Sequence, residues 1–128
     1  MAFSHTVSYS VAASSGTLSR SKSYTGSSQV EVSESVADSE TDYDIVVAID
    51  VSAVKSFYIV SDQTVTVETN SGSEADDTLS LVAGVPYVWN TDSYDSFQLG
   101  TDVTVLYVTN ASGSTANIEL RCVMDATP

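Results

Sequence analysis

Side chains able to make or break bonds are scarce in this chain, and the few present stand apart in sequence. One histidine, one cysteine and four basic residues are set against 17 acids. A Ser-His-Asp relay would rest on His5 alone. That residue lies in a polar alternating segment with no partner nearby, and no Gly-x-Ser-x-Gly elbow accompanies it. His5 therefore reads as facing solvent or a partner. Cys122 sits in the run Ile118-Glu119-Leu120-Arg121-Cys122-Val123-Met124, the setting of a small buried thiol rather than a nucleophile. A lone cysteine also excludes an internal disulfide. These residues predict no catalysis, and no catalytic residue is assigned.

The acids raise the question of metal. Asp42 and Asp44 are two apart, Asp76 and Asp77 are adjacent, and Asp92 and Asp95 share one segment. Calcium takes six to eight oxygens, often from a loop of regularly spaced carboxylates, and none of these stretches has that pattern. They read as solvated loop acids, with no metal and no cofactor expected. The segment Tyr87-Val88-Trp89-Asn90-Thr91-Asp92-Ser93-Tyr94-Asp95-Ser96-Phe97 holds the only tryptophan. Flat rings beside acids and amides suit a sugar-binding face, which makes Trp89, Asp92, Tyr94 and Asp95 glycan-binding candidates. In the competing reading Tyr87 and Trp89 cap a core and Tyr94 covers a loop. A glycosidase needs two carboxylates at a set separation, and no pair stands out among so many acids. Asn110-Ala111-Ser112 matches a glycosylation acceptor but reads as a turn.

Charge narrows the partners. The formal net charge is −13. Nucleic-acid binding depends on neutralising phosphates with Lys and Arg, so neither DNA nor RNA is an expected partner. Anionic lipid surfaces are disfavoured in the same way. No apolar run reaches the roughly 18 residues of a membrane span. The N-terminus shows no basic segment followed by an apolar one, so synthesis in a cytoplasm is expected. A small-molecule substrate is not expected either. Solubility is the plain consequence of so many acids, and a neutral or basic partner surface is the alternative.

The elements that must position these residues are all strands. At 128 residues and 42% apolar, the chain has enough material for one domain with one core. Phe3, His5, Val7, Tyr9 and Val11 alternate with polar residues, and Leu18, Arg20, Lys22 and Tyr24 do so after a turn. Residues 1–42 read as an N-terminal arm or hairpin with edge strands, open to ordering by a partner, and 33–42 as an acidic loop. Residues 43–128 read as the core. There Tyr43–Asp50 is an apolar strand expected to be covered on both faces. Strands are also expected over 56–61 and 64–70, with a tight hairpin at Asp62-Gln63 joining them. Further strands fall at 78–82, 86–89, 102–109 and 116–124, Pro86 marking a strand start or a sheet edge. Seven or eight short strands at intervals of about 8–12 residues argue for an all-β sandwich or barrel.

Three stretches carry a resemblance. They are Ile49 to Asp62, Val67-Glu68-Thr69-Asn70, and Leu81-Val82-Ala83-Gly84-Val85-Pro86-Tyr87-Val88-Trp89-Asn90; Leu106–Asn110 and Ile118–Arg121 join them. Over roughly residues 43–125 the chain resembles the head decoration, or cement, proteins of tailed bacteriophages. The resemblance implies a single antiparallel β-sandwich of jelly-roll kind on the outside of an icosahedral shell. It implies binding between neighbouring major capsid subunits, as a homotrimer with copies of itself, and location in the virion. Phe3, Val7, Tyr9, Leu18, Arg20 and Lys22 are the capsid-contact candidates, since the first segments offer free strand edges. The alternative function is a carbohydrate- or receptor-binding β-sandwich of a phage tail or fibre; a tail or neck structural subunit is a third reading.

Overall fold

The computed structural model describes residues 2–125. Apart from one 3-10 turn over Val51–Ala53, all regular structure among the described residues is β. Two strands, β1 (Phe3–Ala13) and β2 (Gly16–Gly26), form a hairpin of their own. The remaining eight are β3 (Ser28–Val36), β4 (Tyr43–Ile49), β5 (Val54–Ser61), β6 (Val65–Thr69), β7 (Thr78–Leu81), β8 (Tyr87–Asn90), β9 (Val103–Thr109) and β10 (Ala116–Met124). They make two four-stranded antiparallel sheets, ordered β3-β10-β5-β8 and β4-β9-β6-β7. The pairs nest: β3 with β10, β4 with β9, β5 with β8 and β6 with β7. Strands from β3 to β6 alternate between the sheets, and so do their partners on the return path.

The alternation seen in the sequence fixes which faces meet. Phe57, Ile59, Ile118 and Leu120 from one sheet and Val67, Leu106 and Val108 from the other are sealed from solvent in one shared core. Burying each such side chain contributes about 1.5–3 kcal/mol relative to leaving it exposed. The arrangement is sandwich-like, with one core between two sheets.

Three local expectations change. The Asp62-Gln63 break does not close a hairpin: β5 lies in one sheet and β6 in the other, so the chain crosses the core there. Strand β4 is an edge strand with one buried face; Val46 points outward and is 80% exposed. Residues 28–36, read as part of the arm, form an edge strand of the first sheet, with Val32 and Val36 in the core. Ser33 and Ser35 are solvent-facing members of that strand, hydrogen-bonded to Glu119 and Asn117 on β10.

The hairpin has two unlike faces because its register is strict. Ser4, Thr6, Ser8 and Ser10 lie opposite Thr25, Ser23, Ser21 and Ser19, so one face is a hydroxyl ladder. On the other face His5, Val7, Tyr9 and Val11 lie opposite Tyr24, Lys22, Arg20 and Leu18. The root of that second face lies over the outer surface of the sheet β3-β10-β5-β8. Val123 and Ser56 are neighbours in register, next to the core pair Cys122 and Phe57, and so belong to the sheet's outer face. Both are nonetheless almost fully buried. The hairpin covers them as a third layer.

Candidate functional site

The hairpin meets the body through identifiable contacts. Gly26 passes so close to β10 that a Cβ there would lie 2.6 Å from the Met124 carbonyl carbon, a separation only glycine permits. The His5 ring nitrogen Nε2 is 2.9 Å from Gln29 Oε1, linking β1 to β3. Tyr24 is 93% buried, by its 7% exposure, and its hydroxyl donates to Asp92 Oδ2 at 3.0 Å. The same oxygen accepts from Lys22 Nζ at 2.6 Å. Asn90 Nδ2 donates to the Tyr9 hydroxyl at 3.1 Å. Each of these joins residues far apart in the chain.

The electrostatics follow from that wiring. Burial first, and then the hydrogen bond to Asp92, pushes the Tyr24 phenol up to about 12. Hydrogen bonds from Lys22 and then Tyr24 hold the Asp92 carboxyl below the usual carboxylate range. Burial pushes the Cys122 thiol up to about 12, so it stays protonated at neutral pH. Among the described residues no three His, Cys, Asp or Glu side chains converge as metal ligands would.

Between β2 and the segment 87–98 the hairpin encloses a cleft of about 620 Å3. Tyr9, Arg20 and Lys22 form one wall, and Trp89, Asp92, Tyr94 and Asp95 the other. Two sets of residues singled out separately in the sequence, three of the six capsid-contact candidates and all four glycan candidates, therefore share one recess. Tyr87 and Trp89 also pack partly against the core, and Trp89 stacks on Phe97 with centroids 4.6 Å apart. Tyr94 covers no loop; its side chain is fully exposed. On the other side of the hairpin a second cleft of about 590 Å3 runs between β1 and the sheet's outer face, lined by Val7, Tyr58, Val88 and Arg121 among others. Phe3 is half-buried and lines neither cleft.

Beyond these clefts the hairpin continues without cover. Residues 10–19 are all exposed, and on the apolar face Val11 and Leu18 are 64% and 72% exposed. Leu18 is thus at the free tip, apart from Arg20 and Lys22 in the cleft. Charge is separated along the chain as well. Every acid lies at or after Glu31, while Arg20 and Lys22, half of the Lys and Arg residues, are in the hairpin. The sequence reading missed Tyr24, Asn90 and Val11. The pairing of a hydroxyl face with an aromatic and cationic one could have flagged Tyr24, because only one face of such a ribbon gains by being covered.

Comparison with protein-family models, with curated proteins and with solved structures found no match.

Proposed function

We propose that this chain is a structural virion protein, a decoration subunit held on the outside of a tailed-phage head by the tip of its N-terminal hairpin. The observation carrying this reading is the tip itself: an ordered two-stranded projection with Val11 and Leu18 exposed on one face. Isolated two-stranded hairpins are marginal in water, so a ribbon rooted on a sheet with a greasy, acid-free end serves as a contact device. In the resembling proteins the partner is the junction between neighbouring major capsid subunits.

The strand order supports the rest. Within the eight-stranded body, first beside last and second beside penultimate, with β3 to β6 alternating between sheets, is a pattern consistent with jelly-roll wrapping, an architecture common among capsid and lectin domains. The acidic body repels other acidic bodies in solution, while the cation-bearing hairpin is free to approach a capsid or a second copy. A homotrimer on the shell would bring several tips to one junction. Weak contacts repeated over many sites then add up by avidity, and separating two capsid subunits also requires breaking the bridge between them.

The test is co-sedimentation with undecorated heads built from the cognate major capsid protein. Replacing Val11 and Leu18 together by serine leaves the folded body untouched, because neither side chain is buried. Loss of head binding at unchanged circular dichroism is the expected result. Equal binding by the double variant would refute tip attachment.

A further inference from the structure

The cleft between β2 and the segment 87–98 is built from side chains already held in place. Trp89 Nε1 donates to the Asp95 carbonyl at 3.0 Å, and its ring lies against Phe97. The Tyr87 hydroxyl accepts from Gln98 N, and the Tyr9 hydroxyl accepts from Asn90 Nδ2. Asp92 is fixed between Lys22 and Tyr24. Apart from Tyr94 and Arg20, little ordering would remain for a ligand to impose, which is the condition for useful affinity in a small site. The volume, about 620 Å3, falls within the roughly 300–1,000 Å3 of typical small-ligand sites.

The chemistry of the walls selects the ligand class. Aromatic rings alternate with hydroxyl, carboxylate and amide groups, which suits a ligand with both a flat apolar face and a polar rim. A nucleic acid strand could stack on the rings, but its phosphates would face a body that carries every acid of the chain. A pyranose presents a flat C–H face to aromatic rings and hydroxyls at its rim to polar groups. Arg20 is the one cleft cation that forms no ion pair among the described residues; its Nη1 donates only to the Ser19 carbonyl. Tyr94 stands fully exposed at the edge, placed to fold over a bound ring.

We propose that this cleft is a carbohydrate-binding site for a short oligosaccharide, with Tyr94 as the covering ring and Arg20 as the donor to a sugar hydroxyl or carboxylate. The decoration subunit would then carry an adhesive function besides bracing the shell. The two functions are separable, because Val11 and Leu18 do not line the cleft.

The experiment uses the full chain free in solution, without heads, so its failure is distinct from failure of head binding. Neutral (maltohexaose), N-acetylated (chitohexaose) and acidic (oligogalacturonate) series are titrated up to millimolar concentration. Amide and Trp89 indole N–H shifts are followed by NMR, with Trp89 fluorescence in parallel. Saturable shifts confined to cleft residues are expected with at least one series, weakened at least tenfold by Tyr94→Ala or Arg20→Ala. Both substitutions are on exposed side chains, and each variant's unperturbed amide spectrum verifies its fold. The acidic series binding alone would identify Arg20's partner as a carboxylate; a neutral series binding equally well would identify it as a hydroxyl. No saturable shift in any series, or binding unchanged in both variants, would overturn the proposal.

Discussion

Replacing Tyr24 by alanine should release the hairpin while leaving the two sheets folded. Tyr24 is buried to 93%, yet it is not part of the core shared by the sheets, so its burial energy serves the hairpin's seat alone. Truncating a buried large aromatic costs about 3–5 kcal/mol. A loss of that size corresponds to about two to four powers of ten in the seating equilibrium. The other hydrogen bonds are partly exposed and a hairpin without its sheet is marginal by itself, so only the cover over Val123 and the close approach of Gly26 are left to hold it. Hydrogen exchange gives the direct readout, since it reports local opening. Amides within β1 and β2 should exchange at least about a hundredfold faster than in the parent chain, while amides of β5, β9 and β10 keep their protection. Unchanged protection in the hairpin would show that Tyr24 is not its anchor. Loss of protection everywhere at once would show that hairpin and sheets form a single cooperative unit.

The seat should also respond to pH at both extremes. Tyr24 has a folded-state pKa raised from 10.0 to about 12, so its contribution is complete below pH 10 and is lost as the pH climbs toward 12; hairpin amides should lose protection there before the sheets do. Asp92 is shifted the other way, so its contribution is present above the ordinary carboxylate pKa of about 3.9 and fades as the pH falls through the lowered value. In Asp92→Asn the acid-side loosening of the hairpin should disappear. A separate expectation concerns Asn110, fully buried, whose Nδ2 donates to the carbonyls of Val36, Ala37 and Ser114 and whose Oδ1 accepts from Ser112. Asn110→Ala should cost about 2–3 kcal/mol, since the buried bond to the Val36 carbonyl is lost together with the turn bonds from Ser112, while the Ala37 and Ser114 carbonyls keep donors in Glu40 N and Ser112 Oγ. Thermal unfolding should move down by about 10 °C; a shift of a degree or two would mean water replaces the side chain.

The strands were legible because their signal is local. Alternation in Thr64–Asn70 placed Val65 and Val67 inward, where both are buried. Pro86 marked the start of β8, which pairs only with β5 and is a sheet edge. The partition of strands between sheets was not legible, since a short polar break such as Asp62-Gln63 can close a hairpin or cross a core equally well. Val46 and Ala48 hid the outer face of β4, because apolar residues exposed at an edge look like buried ones in sequence. Ser33 and Ser35 hid the continuation of β3 for the opposite reason. The site was half legible. Residue types nominated Trp89, Asp92, Tyr94 and Asp95 on one side and Tyr9, Arg20 and Lys22 on the other. Their meeting depends on the hairpin folding back across a sheet, a contact between Tyr24 and Asp92 that spans 68 positions. No local pattern encodes that.

Head attachment through the hairpin tip is most directly tested by a symmetry-resolved reconstruction of assembled particles with and without this protein. Added density for the two-sheet body should lie on the outer surface where major capsid subunits adjoin, with the segment 10–19 reaching down to the shell. Density on the tail or neck, or a body seated on the capsid with its hairpin tip pointing into solvent, would contradict the account.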